Sequence, residues 1–344
     1  MSAWVEDVLG AGYEQRTIDL GSDPDGEGDV VATLVRAVRA DSPPTARDPR
    51  QGGPRRAFLW VHGFSDYFFQ TELADFFTAR GFEFYALDLR KCGRSRRPGH
   101  TPHYVSDLAF YDTELDAALE IIREDLGGGA GPRAADGTGG LDVVLGAHST
   151  GGLILPLWLA RRGAAELGVT GLVLDSPWFD LQGAPWMRSI GTHVIRAAAR
   201  VRPFDKLPLP PGDAYGASLH TSGAGEWEYE LDWKPLTGFP VTFGWLNAVR
   251  RGHAVLHRGL DLGIPSLVLR SDKTWFARKH GPRTDVSDGV LDVKQIARWA
   301  GCLGGSVTSL PIAGARHDVF LSQSGARAAA YAAIDRWFAF HEMH

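Results

Sequence analysis

Apolar residues fall in two rhythms along the chain. Short continuous runs stand at Phe58–Val61, Phe82–Leu89, Leu141–Leu145, Gly171–Leu174, Ser266–Leu269 and Val307–Ile312. Runs of that length predict strands buried on both faces. Between them, Phe68–Arg80, Ser106–Leu126, Leu153–Arg162, Asp292–Ala300 and Ser322–His341 carry apolar residues at helical spacing. Gly81 stops the first of these, and Ser106 reads as the N-cap of the second. Pro156 comes early enough in the third to be tolerated. Thr17–Leu20 and Val30–Ala40 read as two further strands around a Gly/Asp turn. Strands and helices alternating in this way predict an α/β fold with a mostly parallel, doubly wound sheet.

Two stretches read as surface loops: Asp41–Arg56, rich in Pro, Arg and Gly, and the Gly-rich Gly127–Gly140. From Ser176 to about Leu262 the rhythm breaks, and Trp178, Trp186, Trp227, Trp233 and Trp245 gather there. An insertion between two sheet strands would lie over the carboxyl ends of the strands, where open α/β sheets bind ligands. The predicted organisation is a core in two parts, residues 1–176 and 263–344, with a cap at 177–262 between them.

Composition narrows the function. The 344 residues are 44% apolar and 22% charged, with a formal net charge of −5, so nothing suggests nucleic acid or an anionic membrane as partner. Cys92 and Cys302 lie far apart, with neither metal spacing nor a disulfide framework, which suits a reducing compartment. The opening MSAWVEDVLGAGYEQ lacks the basic and apolar regions of a signal peptide. No apolar run nears the roughly 20 residues of a membrane helix. The expectation is a soluble cytoplasmic protein that acts on a small molecule without cofactor or metal. The sequence does not specify its oligomeric state.

The strongest chemical signal is Ala147-His148-Ser149-Thr150-Gly151, between a strand and a helix. A serine hydroxyl is a weak nucleophile unless it is held beside a base. A sharp strand-to-helix turn exposes it, and the crowding of that turn demands small residues two before and two after. Ala147 and Gly151 are small, though Gly is the usual first residue. A second signal, His62-Gly63-Phe64, ends the first buried strand. An acyl-transfer intermediate needs N–H donors aimed at its oxyanion, and the backbone N–H groups of Phe64 and Thr150 are the candidates. His62 precedes Ser149 in the chain and reads as loop support. Of twelve histidines, His317 alone lies in the loop directly after the last strand, where a base can reach across the sheet top. The acid that orients it falls between Ser149 and His317. Asp272, Asp285, Asp288 and Asp292 all qualify; Asp292 reads better as a helix cap, and position does not choose between Asp272 and Asp288.

These motifs together resemble the monoglyceride lipase and lysophospholipase branch of the α/β-hydrolase superfamily, also known as serine aminopeptidase-like. His62-Gly63-Phe64-Ser65-Asp66-Tyr67 is similar to that branch's HGxxEH loop, with Asp66 for Glu. Asp88–Ser95 is similar to D-x-R-G-H-G-x-S, with Lys91 and Cys92 for Gly-His. Ala147–Gly152 resembles GHSMGG, and Asp288–Asp292 resembles DxxxD, whose first Asp is catalytic. The resemblance implies Ser149, Asp288 and His317 as a triad and makes Thr274–Val286 an insertion. It covers about Ala57–Ser176 and Ile264–His341, not the cap, so the substrate stays open.

The expected reaction is ester hydrolysis through an acyl-enzyme. The aromatic cap suggests an apolar acyl or aryl group, with Trp178 and Phe179 as pocket walls. Acyl transfer, thioester or amide hydrolysis would use the same residues, and a non-catalytic receptor is the reading outside enzymology. Epoxide hydrolysis and dehalogenation on this fold place Asp where Ser149 stands.

Overall fold

The computed structural model describes residues 2–38, 55–127, 141–182, 195–210 and 212–343. Nine strands form one sheet: β1 (Val5–Glu6), β2 (Tyr13–Ser22), β3 (Asp29–Ala37), β4 (Arg55–Val61), β5 (Glu83–Asp88), β6 (Leu141–His148), β7 (Val169–Asp175), β8 (Ser266–Ser271) and β9 (Val307–Ile312). Their spatial order is β1-β2-β3-β5-β4-β6-β7-β8-β9. The first three strands and the β3–β5 pair are antiparallel; from β5 to β9 every pairing is parallel. The sheet is therefore mostly parallel, as the continuous apolar runs predict.

Helices α1 (Thr71–Ala79), α2 (Asp112–Asp125), α3 (Gly151–Arg162), α7 (Val293–Trp299) and α8 (Ser324–Phe340) alternate with the parallel strands. Between β7 and β8 come α4 (helical residues 195–201), α5 (Ala214–Leu219) and α6 (Phe243–Leu256). Two apolar clusters fill the sheet's two faces. One joins Leu59, Val61, Leu145 and Leu174 to α2 and α3. The other stacks Phe58, Trp60 and Phe84 on Phe77 and on Ile334 and Trp337 of α8. Among the described residues, no helix is long and apolar enough to cross a membrane.

Several expected boundaries move. The second expected helix begins at Asp112, after a separate 3₁₀ turn at Leu108–Tyr111. Ser106 caps neither element: Asp107 caps the 3₁₀ turn, its carboxylate accepting the N–H of Ala109, and the N-cap of the helix is Tyr111. The expected helix Phe68–Arg80 starts at Thr71, because Phe68 and Phe69 are buried in the loop before it. β2 is longer than its apolar run Thr17–Leu20, since it is a half-exposed strand in which polar residues face out, whereas β3 runs Asp29–Ala37 against the expected Val30–Ala40. Residues 41–54 and 128–140 of the two expected loops, the end of the expected strand at Ala40, and Trp186 lie outside the described residues.

Buried ion pairs lock the N-terminal strands onto the parallel sheet. The Arg94 guanidinium donates Nε and Nη2 to the two Asp7 oxygens, each at 2.7 Å. Its Nη1 donates to Asp88 Oδ2 at 2.9 Å. Lys91 is fully buried and donates to Asp23 at 2.6 Å and to Glu27 at 2.7 Å. Lys91 and Cys92, which depart from the Gly-His of the similar motif, thus mark a docking point for the β2–β3 turn. Removing one partner of a buried pair leaves charge uncompensated, at a cost of roughly 3–5 kcal/mol. Arg94→Met should lower stability by about 3 kcal/mol, read as a lower urea midpoint. Adding Asp7→Asn should recover part of that loss; a single variant as stable as wild type would contradict the lock.

Candidate active site

Strand β6 ends at His148, and α3 starts at Gly151, so the chain must reverse direction within two residues. Ser149 absorbs the turn with φ 51°, in the left-handed region that costs a non-glycine residue about 1–2 kcal/mol. Three backbone bonds hold it. Its N–H donates to Asp175 O at 2.9 Å, and its carbonyl accepts from Gly152 N–H at 3.0 Å and Trp178 N–H at 2.9 Å. Space is as tight as the sequence implies. A Cβ on Gly151 would stand 2.5 Å from His62 O, and one on Gly63 would stand 2.9 Å from Ser149 Cβ. The Ala147 methyl is fully buried and accommodated.

The loop after β9 brings His317 to the same end of the sheet. Its Nδ1–H donates to Asp288 Oδ2 at 3.0 Å, and both side chains are buried. The other Asp288 oxygen accepts the N–H groups of Val290 and Leu291 at 2.8 and 2.7 Å. Burial lowers the His317 pKa below 6.5, and the Asp288 carboxylate opposes that shift without cancelling it. The remaining acids are engaged elsewhere. Asp272 accepts from Gly314 N–H at 3.3 Å, Asp285 pairs with Arg316 and His280, and Asp292 caps α7 through Lys294 N–H.

The loop after β4 lies against this turn. His62 donates Nδ1–H to Gly63 O at 2.7 Å and accepts Leu89 N–H on Nε2 at 3.1 Å, so it braces the loop. Among the described residues, neither the Phe64 nor the Thr150 N–H donates to a protein carbonyl. Both residues line one small cavity, with Leu89, Ile154 and Trp245. The Phe64 ring lies 4.1 Å from that of Trp245, and Trp178 stands 5.7 Å beyond. Phe179 points elsewhere: its side chain is fully buried in the core and its carbonyl binds His257.

Sequence reasoning missed two buried networks here. His148, beside Ser149, donates Nδ1–H to Asp66 Oδ2 at 3.1 Å, and Lys234 donates to Asp66 Oδ1 at 2.7 Å. Burial alone would raise the Asp66 carboxyl, but Lys234 and His148 hold it well below the usual carboxylate range. Asp175 and Asp318 form the second. Burial and then the Asp318 charge push the Asp175 carboxyl well above the usual carboxylate range. Asp175 also accepts Val319 N–H at 3.1 Å, while its own carbonyl holds Ser149. The signal available in sequence was an acid at the end of an apolar run, Leu172-Val173-Leu174-Asp175.

Two sets of side chains come close enough to suggest a metal: His62, Cys92 and His103, and His148, Asp175 and Asp318. In the first, both His62 nitrogens are already bonded, and burial pushes the Cys92 thiol above 9, away from thiolate. In the second, Asp175 already accepts the Val319 N–H, and Asp318 accepts the Gln70 amide and the N–H groups of Phe320 and Leu321. Neither donor set fits a resident ion.

The sequence pattern of the serine aminopeptidase S33 family matches residues 52–286. No curated protein sequence matches the chain. A soluble variant of monoglyceride lipase from Saccharomyces cerevisiae, solved with a substrate analogue, superposes with a TM-score of 0.65 at 15% identity, covering 99% of each chain. Monoacylglycerol lipase from Paleococcus ferrophilus gives 0.57 at 18% identity, over 84% of this chain and 96% of that one. A putative aryl esterase from Burkholderia cenocepacia gives 0.50 at 16%, over 96% and 100%. Identities this low speak for a shared fold, that of the α/β-hydrolases. The family pattern spans well over half of the 344 residues, and the chain belongs to the serine aminopeptidase S33 family of α/β-hydrolases.

Proposed function

We propose that the chain is a serine esterase whose nucleophile is Ser149, with His317 as base and Asp288 as the acid that orients it. The observation that carries this reading is the His317–Asp288 bond of 3.0 Å on the loops beside the strained Ser149 turn. Ser149 Oγ attacks an ester carbonyl and passes its proton to His317 Nε2, left basic because Nδ1 carries the proton given to Asp288. The N–H groups of Phe64 and Thr150 take the oxyanion. His317 then protonates the leaving alcohol, and water, activated in the same way, releases the acid. Residues 177–262 act as the cap. Their Trp245 and Trp178, with Phe64, give the site an aromatic wall that favours an apolar acyl or aryl group. Phe179 has no part in that wall.

A fluorophosphonate probe should label the wild-type protein and leave Ser149→Ala unlabelled; equal labelling of both would remove Ser149 from the mechanism. Asp288→Asn should lower turnover of a p-nitrophenyl ester by about 10⁴. Asp272→Asn should leave it near wild type, and the reverse order would reassign the acid. The base works only when neutral. Its pKa is lowered by burial, so the neutral form survives to lower pH. kcat/KM should therefore hold as pH falls through 6.5 and decline only below it. An acid limb centred above pH 7 would contradict the assignment of His317.

A further inference from the structure

The cavity beside the Ser149 turn is apolar on most sides, where Phe64, Leu89, Ile154 and Trp245 face it. Of its polar lining residues, which include His62 and Tyr111, two carry a buried atom without a partner. His103 lines the cavity and is almost fully buried, and its Nε2 has no partner among the described residues. Thr150 lines it too, and its Oγ1 is also buried without a partner. A buried polar atom left unsatisfied destabilises a fold, so two of them facing one cavity call for a ligand atom or a solvent molecule.

The His103 ring is held in place. Its Nδ1 meets Cys92 Sγ at 3.1 Å, its backbone N–H donates to Lys91 O at 3.1 Å, and Tyr111 Oη donates to its carbonyl at 3.4 Å. Its backbone takes φ 60°, strain that those contacts maintain. Burial lowers its pKa far below 6.5, so it stays neutral and suits a hydroxyl or keto oxygen better than an anion.

The side of the scissile bond follows from the lining. The cavity shares Phe64 and Thr150 with the proposed oxyanion donors but is not lined by His317. The leaving alcohol must sit by His317, which protonates it, so this cavity receives the acyl side. Its volume of about 10 Å³ admits roughly one water-sized group.

We propose that the cavity is a polar acyl subsite: it selects esters of short acids that carry a hydroxyl or keto oxygen near the ester carbonyl, bound by His103 Nε2 and Thr150 Oγ1. This rests on the serine esterase reading and narrows its substrate class.

The test compares ethyl lactate with ethyl propionate, and ethyl 3-hydroxybutyrate with ethyl butyrate, by pH-stat. In wild type, kcat/KM for the better hydroxylated ester should exceed its unsubstituted partner by at least about 10-fold. His103→Leu should bring that ratio near one. The wild-type ratio decides alone should the variant fail to fold: a ratio of one or below in both pairs overturns the proposal and makes the cavity a solvent site. Absence of both ester turnover and fluorophosphonate labelling would instead defeat the esterase reading. Calorimetric titration of wild type with lactate, propionate, 3-hydroxybutyrate and butyrate then decides the subsite separately. Tighter binding of a hydroxy acid supports it, and equal binding overturns it.

Discussion

Everything at the carboxyl end of the sheet depends on one strained residue. Ser149 sits at φ 51°, and no local feature of the chain rewards that conformation. It persists because its surroundings over-determine it. Asp175 O holds the N–H, Trp178 and Gly152 N–H groups hold the carbonyl, and the β4 loop closes down to within a missing Cβ at Gly63 and Gly151. The strain costs about 1–3 kcal/mol, a small charge against a sheet core that includes Trp60, Phe58 and Leu145 fully buried. The same crowding that enforces the turn brings Phe64 and Thr150 together in the lining of one cavity.

Buried charge then fixes what packs around the turn. Asp66 joins three segments: its own loop after β4, His148 at the end of β6, and Lys234 from the segment between β7 and β8. Apolar contacts alone would allow that segment to slide, because dispersion has little direction. An ion pair with both members buried does not slide, since misalignment strands a charge. Arg94 and Lys91 do the same at the other side, where they hold the N-terminal strands. Asp175 ties the His317 loop to the strand that holds Ser149: its carboxyl accepts the Val319 N–H, and its carbonyl accepts the Ser149 N–H.

The parallel half of the sheet was legible because each strand is a continuous apolar run buried on both faces. The apolar runs Phe82–Leu89 and Leu141–Leu145 match β5 and β6 to within a few residues. Half-exposed β2 was only partly legible, since alternation with polar residues weakens the signal at its ends. The cap at Asp107 was confused with Ser106, two adjacent residues of similar capping tendency, and only backbone geometry separates them. Chain order put Asp288 and Asp272 on equal terms; the choice came from the DxxxD resemblance, and the bond to His317 lies across 29 positions of sequence. His103, Lys234 and Asp175 escaped notice for the same reason. Each matters through partners far away in the chain, which no periodicity or local motif encodes.

The site contains two histidines 4.7 Å apart, each bound through Nδ1 to an aspartate, yet they are not equivalent. Asp66 gives its second oxygen to the Lys234 ammonium, which already balances its charge. Asp288 gives its second oxygen to neutral backbone N–H groups, which orient the carboxylate without neutralising it. His317 therefore faces a carboxylate bound otherwise only by neutral N–H groups, whereas His148 faces one already paired with Lys234. A proton taken from a nucleophile is best held where it completes an ion pair. Lys234 thus does more than anchor its segment: by pairing with Asp66, it leaves Asp288 as the one of these two carboxylates without a Lys or Arg partner among the described residues.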